Sequence, residues 1–174
     1  FRHGMDITCV TGVTSVERPS WLPLEIKCPE PNSMLKELKT ISKDKIDVWI
    51  HSAAVLDYVI PDPVEGKIAS LQGALDIQLA EGAKHIQELK EKCAGATRIG
   101  FKLESGIKQK DLVHRAHAQI QKSGMTATIA NRIEDYGKDG KPRGWLVDRH
   151  GAHFVLETES DMCDAIRSVI ENNR

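Results

Sequence analysis

No uninterrupted apolar run in this chain approaches the roughly 20 residues that span a bilayer, and no signal-peptide pattern is visible. Net charge is equally scarce. The 24 basic and 25 acidic residues leave −1, so no global field recruits nucleic acid or an anionic membrane surface. Any grip on phosphate must come from local placement of Lys and Arg. The four cysteines, Cys9, Cys28, Cys93 and Cys163, never stand at Cys-x-x-Cys spacing. That argues against a zinc knuckle or redox pair and for free thiols in a reducing cytoplasm. The pairs His114/His117 and His150/His153 have no third ligand nearby, so they read as solvated helix or turn residues rather than a metal site. Internal repeats, low-complexity tracts and a Gly-x-Gly-x-x-Gly loop are also missing, as is an initiator Met.

What is present has ordinary globular composition, 40% hydrophobic and 28% charged, and 174 residues suit one domain with a sizeable core. Compact apolar runs alternate with amphipathic stretches. Strands are expected near Met5–Val10, Ile46–His51, Arg98–Leu103 and Met125–Ala130, with Leu75–Leu79 alternating as a strand might and Cys9 buried in the first. Helices are expected over Met34–Ile41, capped by Asn32-Ser33, over Ala80–Cys93, over Gln109–Ser123 ended by Gly124, and over Ser160–Ile170 with Ser160 as N-cap. Four prolines break up Thr11–Asn32, which reads as irregular connection. Asp135–Gly144 reads as a turn, with Trp145–Val147 and His153–Glu157 as its arms. Alternating strands and helices predict a three-layer, Rossmann-like α/β fold: a mostly parallel sheet flanked by helices, with an antiparallel edge pair. The opening Phe1-Arg2-His3-Gly4 looks like a helix end with its C-cap. A helix there would follow a strand, so the native N-terminus is expected to be missing.

The most telling stretch is Ile50-His51-Ser52-Ala53-Ala54-Val55-Leu56-Asp57-Tyr58, followed by Gly66-Lys67-Ile68-Ala69-Ser70. An apolar strand stops at small residues, which let a ligand approach the backbone, and Asp57 and Lys67 then offer one charge of each sign. In open parallel sheets ligands bind outside the carboxyl ends of the strands, where this segment would lie. From the residues alone, Lys67 is either a solvated loop lysine or a cation for phosphate. Asp57 is either a turn-former or a ligand contact. Phe101 is either a core aromatic or a π-face for a base.

These segments resemble the Ala-Ala-Val-x-Asp-Tyr and Lys-Ile-x-Ser motifs of the phosphopantothenoylcysteine synthetase (phosphopantothenate–cysteine ligase) family. Gly100-Phe101-Lys102-Leu103-Glu104 and Ile129-Ala130-Asn131 resemble its next two strand ends, in the same order over most of residues 4–172. The resemblance implies a cytoplasmic, homodimeric enzyme of coenzyme A synthesis that joins 4′-phosphopantothenate to L-cysteine. It would work through an acyl-nucleotide formed from CTP, or ATP, with Mg2+ and release of pyrophosphate. It implies Lys67 as the catalytic cation and Ser52, Ala53, Ala54, Asp57, Lys67, Lys84, Ile86, Phe101 and Lys122 as nucleotide-binding residues, with Ala53, Asp57, Lys67, Phe101 and Lys122 expected to converge around one cleft at the carboxyl edge of the sheet. Asn131 would bind substrate, and no protein side chain would hold the metal. Subunits would pair through part of Tyr58–Leu79.

Departures from the family pattern accompany the resemblance. Ala118 stands where the family's first basic residue on its helix usually is, and Ala83-Lys84-His85-Ile86 replaces a Pro-Asp-Ile-Leu-like segment beside the base. The family's first strand, phosphate loop and intermediate-contacting Asn would precede Phe1, so residues 1–174 read as a single nucleotide-binding ligase domain lacking those parts. Two rival readings stay open: a non-catalytic or regulatory relative, and another nucleotide-dependent α/β enzyme such as a dinucleotide oxidoreductase.

Overall fold

The computed structural model describes residues 4–15, 17–22, 24–70 and 73–173; the helix end expected at Phe1-Arg2-His3 lies outside them. The chain divides into two compact units: residues 1–36 with 54–85, and residues 37–53 with 86–174.

In the first unit, β1 (Thr8–Thr11) pairs in parallel with β2 (Leu24–Lys27), Thr8 opposite Leu24 and Thr11 opposite Lys27. β2 lies inside the stretch expected to be irregular. None of the four prolines falls within Leu24–Lys27, so the strand forms without a missing donor. Cys28 N–H donates to the Thr11 carbonyl at 2.7 Å, and Thr11 Oγ1 donates to Glu25 at 2.8 Å, which fastens the pair. Cys9 is half-buried, not buried as expected, because a two-stranded sheet covers little of either face. α1 (Pro31–Ile41) begins before the predicted Asn32-Ser33 cap: Ser33 Oγ donates back to the Glu30 carbonyl at 2.8 Å instead of accepting from the helix.

The second unit carries a five-stranded sheet. After β3 (Val48–His51), the first unit contributes the short antiparallel pair β4 (Tyr58–Val59) and β5 (Ala80–Glu81). Then come α2 (His85–Glu88), β6 (Thr97–Glu104), α3 (Gln109–Ser123), β7 (Ala127–Arg132), β8 (Gly144–Asp148), β9 (His153–Leu156) and α4 (Glu159–Glu171). The strand order is β3-β6-β7-β8-β9, parallel through β7 and antiparallel for β8 and β9. This is the expected α/β sheet with an antiparallel edge. The turn joining β8 to β9 is at 149–152, and 135–143 instead links β7 to β8.

α3 lays Leu112, Ala116 and Ile120 on Ala130, Trp145 and Val147. It ends at Gly124 (φ 65°), whose left-handed backbone suits glycine. Ile99, Ala127 and Ile129 alternate to the other sheet face and are also buried. α4 packs against β6, β8 and β9, so helices flank the sheet. A smaller cluster of Trp49, Leu89 and Cys93 receives Leu38 and Ile41 of α1. Two expectations fail between residues 73 and 93. Leu75–Leu79 forms no strand and stays exposed, since its alternation finds no neighbouring strand to pair with among the described residues. The helix expected over Ala80–Cys93 shrinks to four residues, because Ala80–Glu81 pairs with β4 and a Cβ on Gly82 would stand 2.9 Å from the Leu56 carbonyl oxygen. α4 is capped by Thr158 rather than Ser160: Thr158 and Asp161 form a reciprocal capping box.

Candidate active site

Each unit carries part of the predicted site. Ala54, Asp57, Lys67 and Lys84 belong to the first, and Ser52, Ala53, Ile86, Phe101, Lys122 and Asn131 to the second.

In the first unit the structure brings Asp57 and Lys84 together as an exposed ion pair. The cause is local. Tyr58 pairs with Glu81, and Gly82 N–H donates to the Asp57 carbonyl at 2.8 Å, so the residues flanking this short ladder meet. Lys67 stands exposed between Gly66 and Ile68, outside any helix or strand, with no ion pair among the described residues. Ala54 is exposed.

In the second unit β3 stops at His51, whose ring stacks on Trp49 with centroids 6.0 Å apart, and Ser52 and Ala53 follow exposed. Pleating turns Arg98, Gly100, Lys102 and Glu104 of β6 toward the α3 side. A Cβ at Gly100 would lie 3.2 Å from Gln119 Nε2 and 3.3 Å from Thr128 Oγ1. Glycine there lets Gln119 lie over the sheet and donate to the Phe101 carbonyl at 3.4 Å. Phe101 itself is half-buried. Ile86 packs against the α3 cluster, and Lys122 is exposed on the last turn of α3. Ala118 is exposed on α3.

At the carboxyl end of β7, Asn131 Oδ1 and Glu134 Oε2 are buried with no hydrogen-bond partner among the described residues. Glu134 Oε1 accepts from Gly106 N–H at 2.8 Å. Both atoms keep the capacity to accept a further hydrogen bond. Arg132 braces the same strand end by pairing with Asp135 at 2.6 Å and lying over Trp145 at 5.7 Å. Glu104 bonds Lys102 at 3.0 Å and Arg115 at 2.9 Å. Burial works to raise its pKa, but the hydrogen bonds and charges of Lys102 and Arg115 together outweigh burial and hold the carboxyl below its ordinary range.

A cleft of about 330 Å³ lined by Thr97, Thr126, Arg149 and Asn173, among others, lies at the amino ends of β6 and β7. It contains none of the predicted site residues. Among the described residues, no group of three or more His, Cys, Asp or Glu side chains is placed to hold a metal ion. Sequence reading passed over Arg98 and Gln119, which sit inside ordinary strand and helix patterns that carry no mark of their roles.

Residues 1–172 match the protein family described as DNA/pantothenate metabolism flavoprotein C-terminal domain. The Coenzyme A biosynthesis bifunctional protein CoaBC of Thermococcus kodakarensis is 30% identical over 138 residues, covering 79% of this chain and 34% of that protein. The chain thus spans about a third of the length of the curated relatives it matches. Among solved structures, the DNA/pantothenate metabolism flavoprotein from Streptococcus pneumoniae superposes with a TM-score of 0.85 at 20% identity, covering 99% of this chain and 83% of that one. A Cab2 mutant in complex with phosphopantothenate-cysteine superposes at 0.64 and 19% identity, covering 86% of this chain and 52% of that one. At these identities the two structures establish the fold.

Proposed function

This chain belongs to the DNA/pantothenate metabolism flavoprotein C-terminal domain family, and from that premise we propose that it forms phosphopantothenoylcysteine from 4′-phosphopantothenate and L-cysteine in coenzyme A biosynthesis. The observation that carries this reading is the family match across nearly the whole chain. Residues 52–57 follow the end of β3 and Asn131 stands near the end of β7, positions where an α/β sheet commonly presents ligands, while Phe101 lies inside β6 and Lys122 on α3.

In the proposed reaction a carboxylate oxygen of 4′-phosphopantothenate attacks the α-phosphorus of CTP or ATP. The bond to the β-phosphate breaks and pyrophosphate leaves. The cysteine amine then attacks the acyl carbon, and the nucleoside monophosphate departs as the amide forms. Magnesium enters with the triphosphate as part of the substrate.

Negative charge builds on phosphate oxygens in the first step. A fixed cation there stabilises the transition state more than the ground state, the role assigned to Lys67. Lys67 is suited to it because no side-chain carboxylate among the described residues already neutralises it. Asp57 bonds the nucleotide, and Lys84, which replaces an acidic-type neighbour in the family pattern, holds that carboxylate until ligand arrives. Ser52, Ala53 and Ala54 let the nucleotide approach the backbone. Ile86 and Phe101 offer apolar contact to the base, and Lys122 reaches the phosphates. Asn131, with its unpartnered Oδ1, accepts from the acyl substrate.

The protein works as a cytoplasmic homodimer in this reading. Val64 is 75% exposed and Ile77 61%, with Ile60, Ile68, Leu75 and Leu79 exposed beside them. Exposed apolar residues grouped along one segment support a protein contact there. Sedimentation as a monomer at micromolar concentration would remove the dimer. Among the described residues no helix is long and apolar enough to cross a membrane.

One observation favours a non-catalytic relative: Ala118 leaves α3 with one phosphate contact fewer than the family pattern. The deciding experiment incubates the full-length protein with 4′-phosphopantothenate, cysteine and magnesium, with CTP and ATP in separate reactions. Mass-spectrometric appearance of phosphopantothenoylcysteine, fastest with CTP, is expected. No product with either nucleotide would favour the non-catalytic reading.

A further inference from the structure

Arg98, the second residue of β6, is 2% exposed, and among the described residues no carboxylate pairs with it. Its guanidinium is held by main-chain carbonyls and one ring. Nη1 donates to the Ser123 carbonyl at 2.6 Å and lies 3.5 Å from that of Gly124, while Nη2 donates to the Ile86 carbonyl at 2.7 Å. Nη2 also stands 3.4 Å from His51 Nε2, and Nε finds no acceptor among the described residues. The backbone of Arg98 is fixed as well: its N–H donates to Thr126 Oγ1 at 3.0 Å and its carbonyl accepts from Thr126 N–H at 2.7 Å.

Burying a cation without an anion is costly, and packing an apolar side chain in its place is often neutral or stabilising. Burial pulls the Arg98 pKa below its ordinary value. The negative end of α3, at Ser123 and Gly124, compensates in part. An arrangement this poor for stability is explained by what it connects. His51 is the last residue before Ser52-Ala53, Ile86 is the second residue of α2 and follows Lys84-His85, and Ser123 follows Lys122. One rigid planar fork therefore ties three backbone segments that the sheet alone does not link.

The geometry points to Arg98 as a positioning residue that fixes the loop after β3, the start of α2 and the end of α3 relative to one another, so that they meet a nucleotide already ordered. The part that names a nucleotide rests on the proposed ligase reading; the fixing of the three segments does not. Lysine would keep the charge and lose the fork, since its ammonium reaches fewer of these acceptors at once. Methionine would fill the space and lose both.

The test compares Arg98→Met and Arg98→Lys with the wild-type full-length protein. Amide hydrogen exchange without ligand is read first. Exchange at Ser52–Ala53 and Ile86–Glu88 should speed up by about tenfold in Arg98→Met, less in Arg98→Lys, with Ile99 and Ile129 unchanged. Steady-state pyrophosphate release then gives the split. The nucleotide KM should rise by about tenfold with kcat within about threefold, because ordering of a binding surface affects ground and transition states alike. Wild-type exchange at those segments in Arg98→Met overturns the proposal. So does equal acceleration everywhere, which marks a merely structural residue. Should Arg98→Met not fold, Arg98→Lys and His51→Ala carry the same test, the latter loosening Ser52–Ala53 alone; wild-type exchange in both overturns it. If the wild type releases no pyrophosphate, the ligase reading fails while the exchange result still decides the role of Arg98.

Discussion

Lys67→Gln separates chemistry from architecture more cleanly than any other change in this chain. The side chain stands exposed in a stretch, residues 61–70, that has no helix or strand. No hydrogen bond or ion pair to a described residue is lost when its charge is removed. Glutamine keeps most of the length and polarity, so stability should change by no more than about 0.5 kcal/mol. For a domain of this size that moves Tm by about 2 °C or less. The barrier to acyl-nucleotide formation responds differently. Losing a preorganised cation where phosphate charge develops costs on the order of 3–4 kcal/mol, about a hundred- to thousandfold in rate. A rapid-quench assay of pyrophosphate release, with enzyme in excess over 4′-phosphopantothenate, reads that step alone, and thermal unfolding of the same sample reads the fold. A Lys67→Gln protein that releases pyrophosphate at the wild-type rate refutes the assignment. A variant that loses both activity and its unfolding transition refutes the claim that Lys67 is no part of the fold.

Phe101→Ala should weaken nucleotide binding by about 1–3 kcal/mol, the worth of a stacked base, and also lower Tm, since the ring is half-buried; calorimetric titration and thermal unfolding separate the two effects. Thr158→Ala removes the side chain that accepts from Asp161 N–H at 3.1 Å, so it should cost about 1 kcal/mol; thermal unfolding checks it, with catalysis expected to stay unchanged. The depressed carboxyl of Glu104 gives a pH dependence of known sign. Its ionised form is favoured by folding, so its contribution is present at neutral pH and lost as pH falls through the carboxylate range. Urea unfolding from pH 7 to pH 3 should therefore fall less steeply for Glu104→Gln than for wild type, after allowing for its lower starting stability.

The sequence revealed most where one signal had one cause. α3 was legible because its apolar spacing and the glycine after it both state helix, and β6 and β7 because a sheet covered on both faces needs compact apolar runs. β2 was hidden by the four prolines scattered through Thr11–Asn32, none of which falls within Leu24–Lys27. Leu75–Leu79 misled because alternation describes a strand only if another strand is there to pair with it. The candidate site divides the same way. Residue types at motif positions named Asp57, Lys84 and Phe101, but not the Asp57–Lys84 ion pair, which depends on the pairing of β4 with β5. Arg98–Leu103 was legible as a strand, but nothing in that run told which of its residues would be covered. In the folded chain α3 covers the face that carries Arg98, which is among the most buried residues.

The central claim is the two-step route through an acyl-nucleotide, and one measurement addresses it directly. Full-length protein, 4′-phosphopantothenate and magnesium are mixed with CTP or ATP in the absence of cysteine, and pyrophosphate is followed with enzyme at substrate-like concentration. The account predicts a burst approaching one pyrophosphate per active site that then stalls, with turnover and amide product resuming when cysteine is added. Pyrophosphate that appears only after cysteine is present, or not at all with either nucleotide, would contradict it.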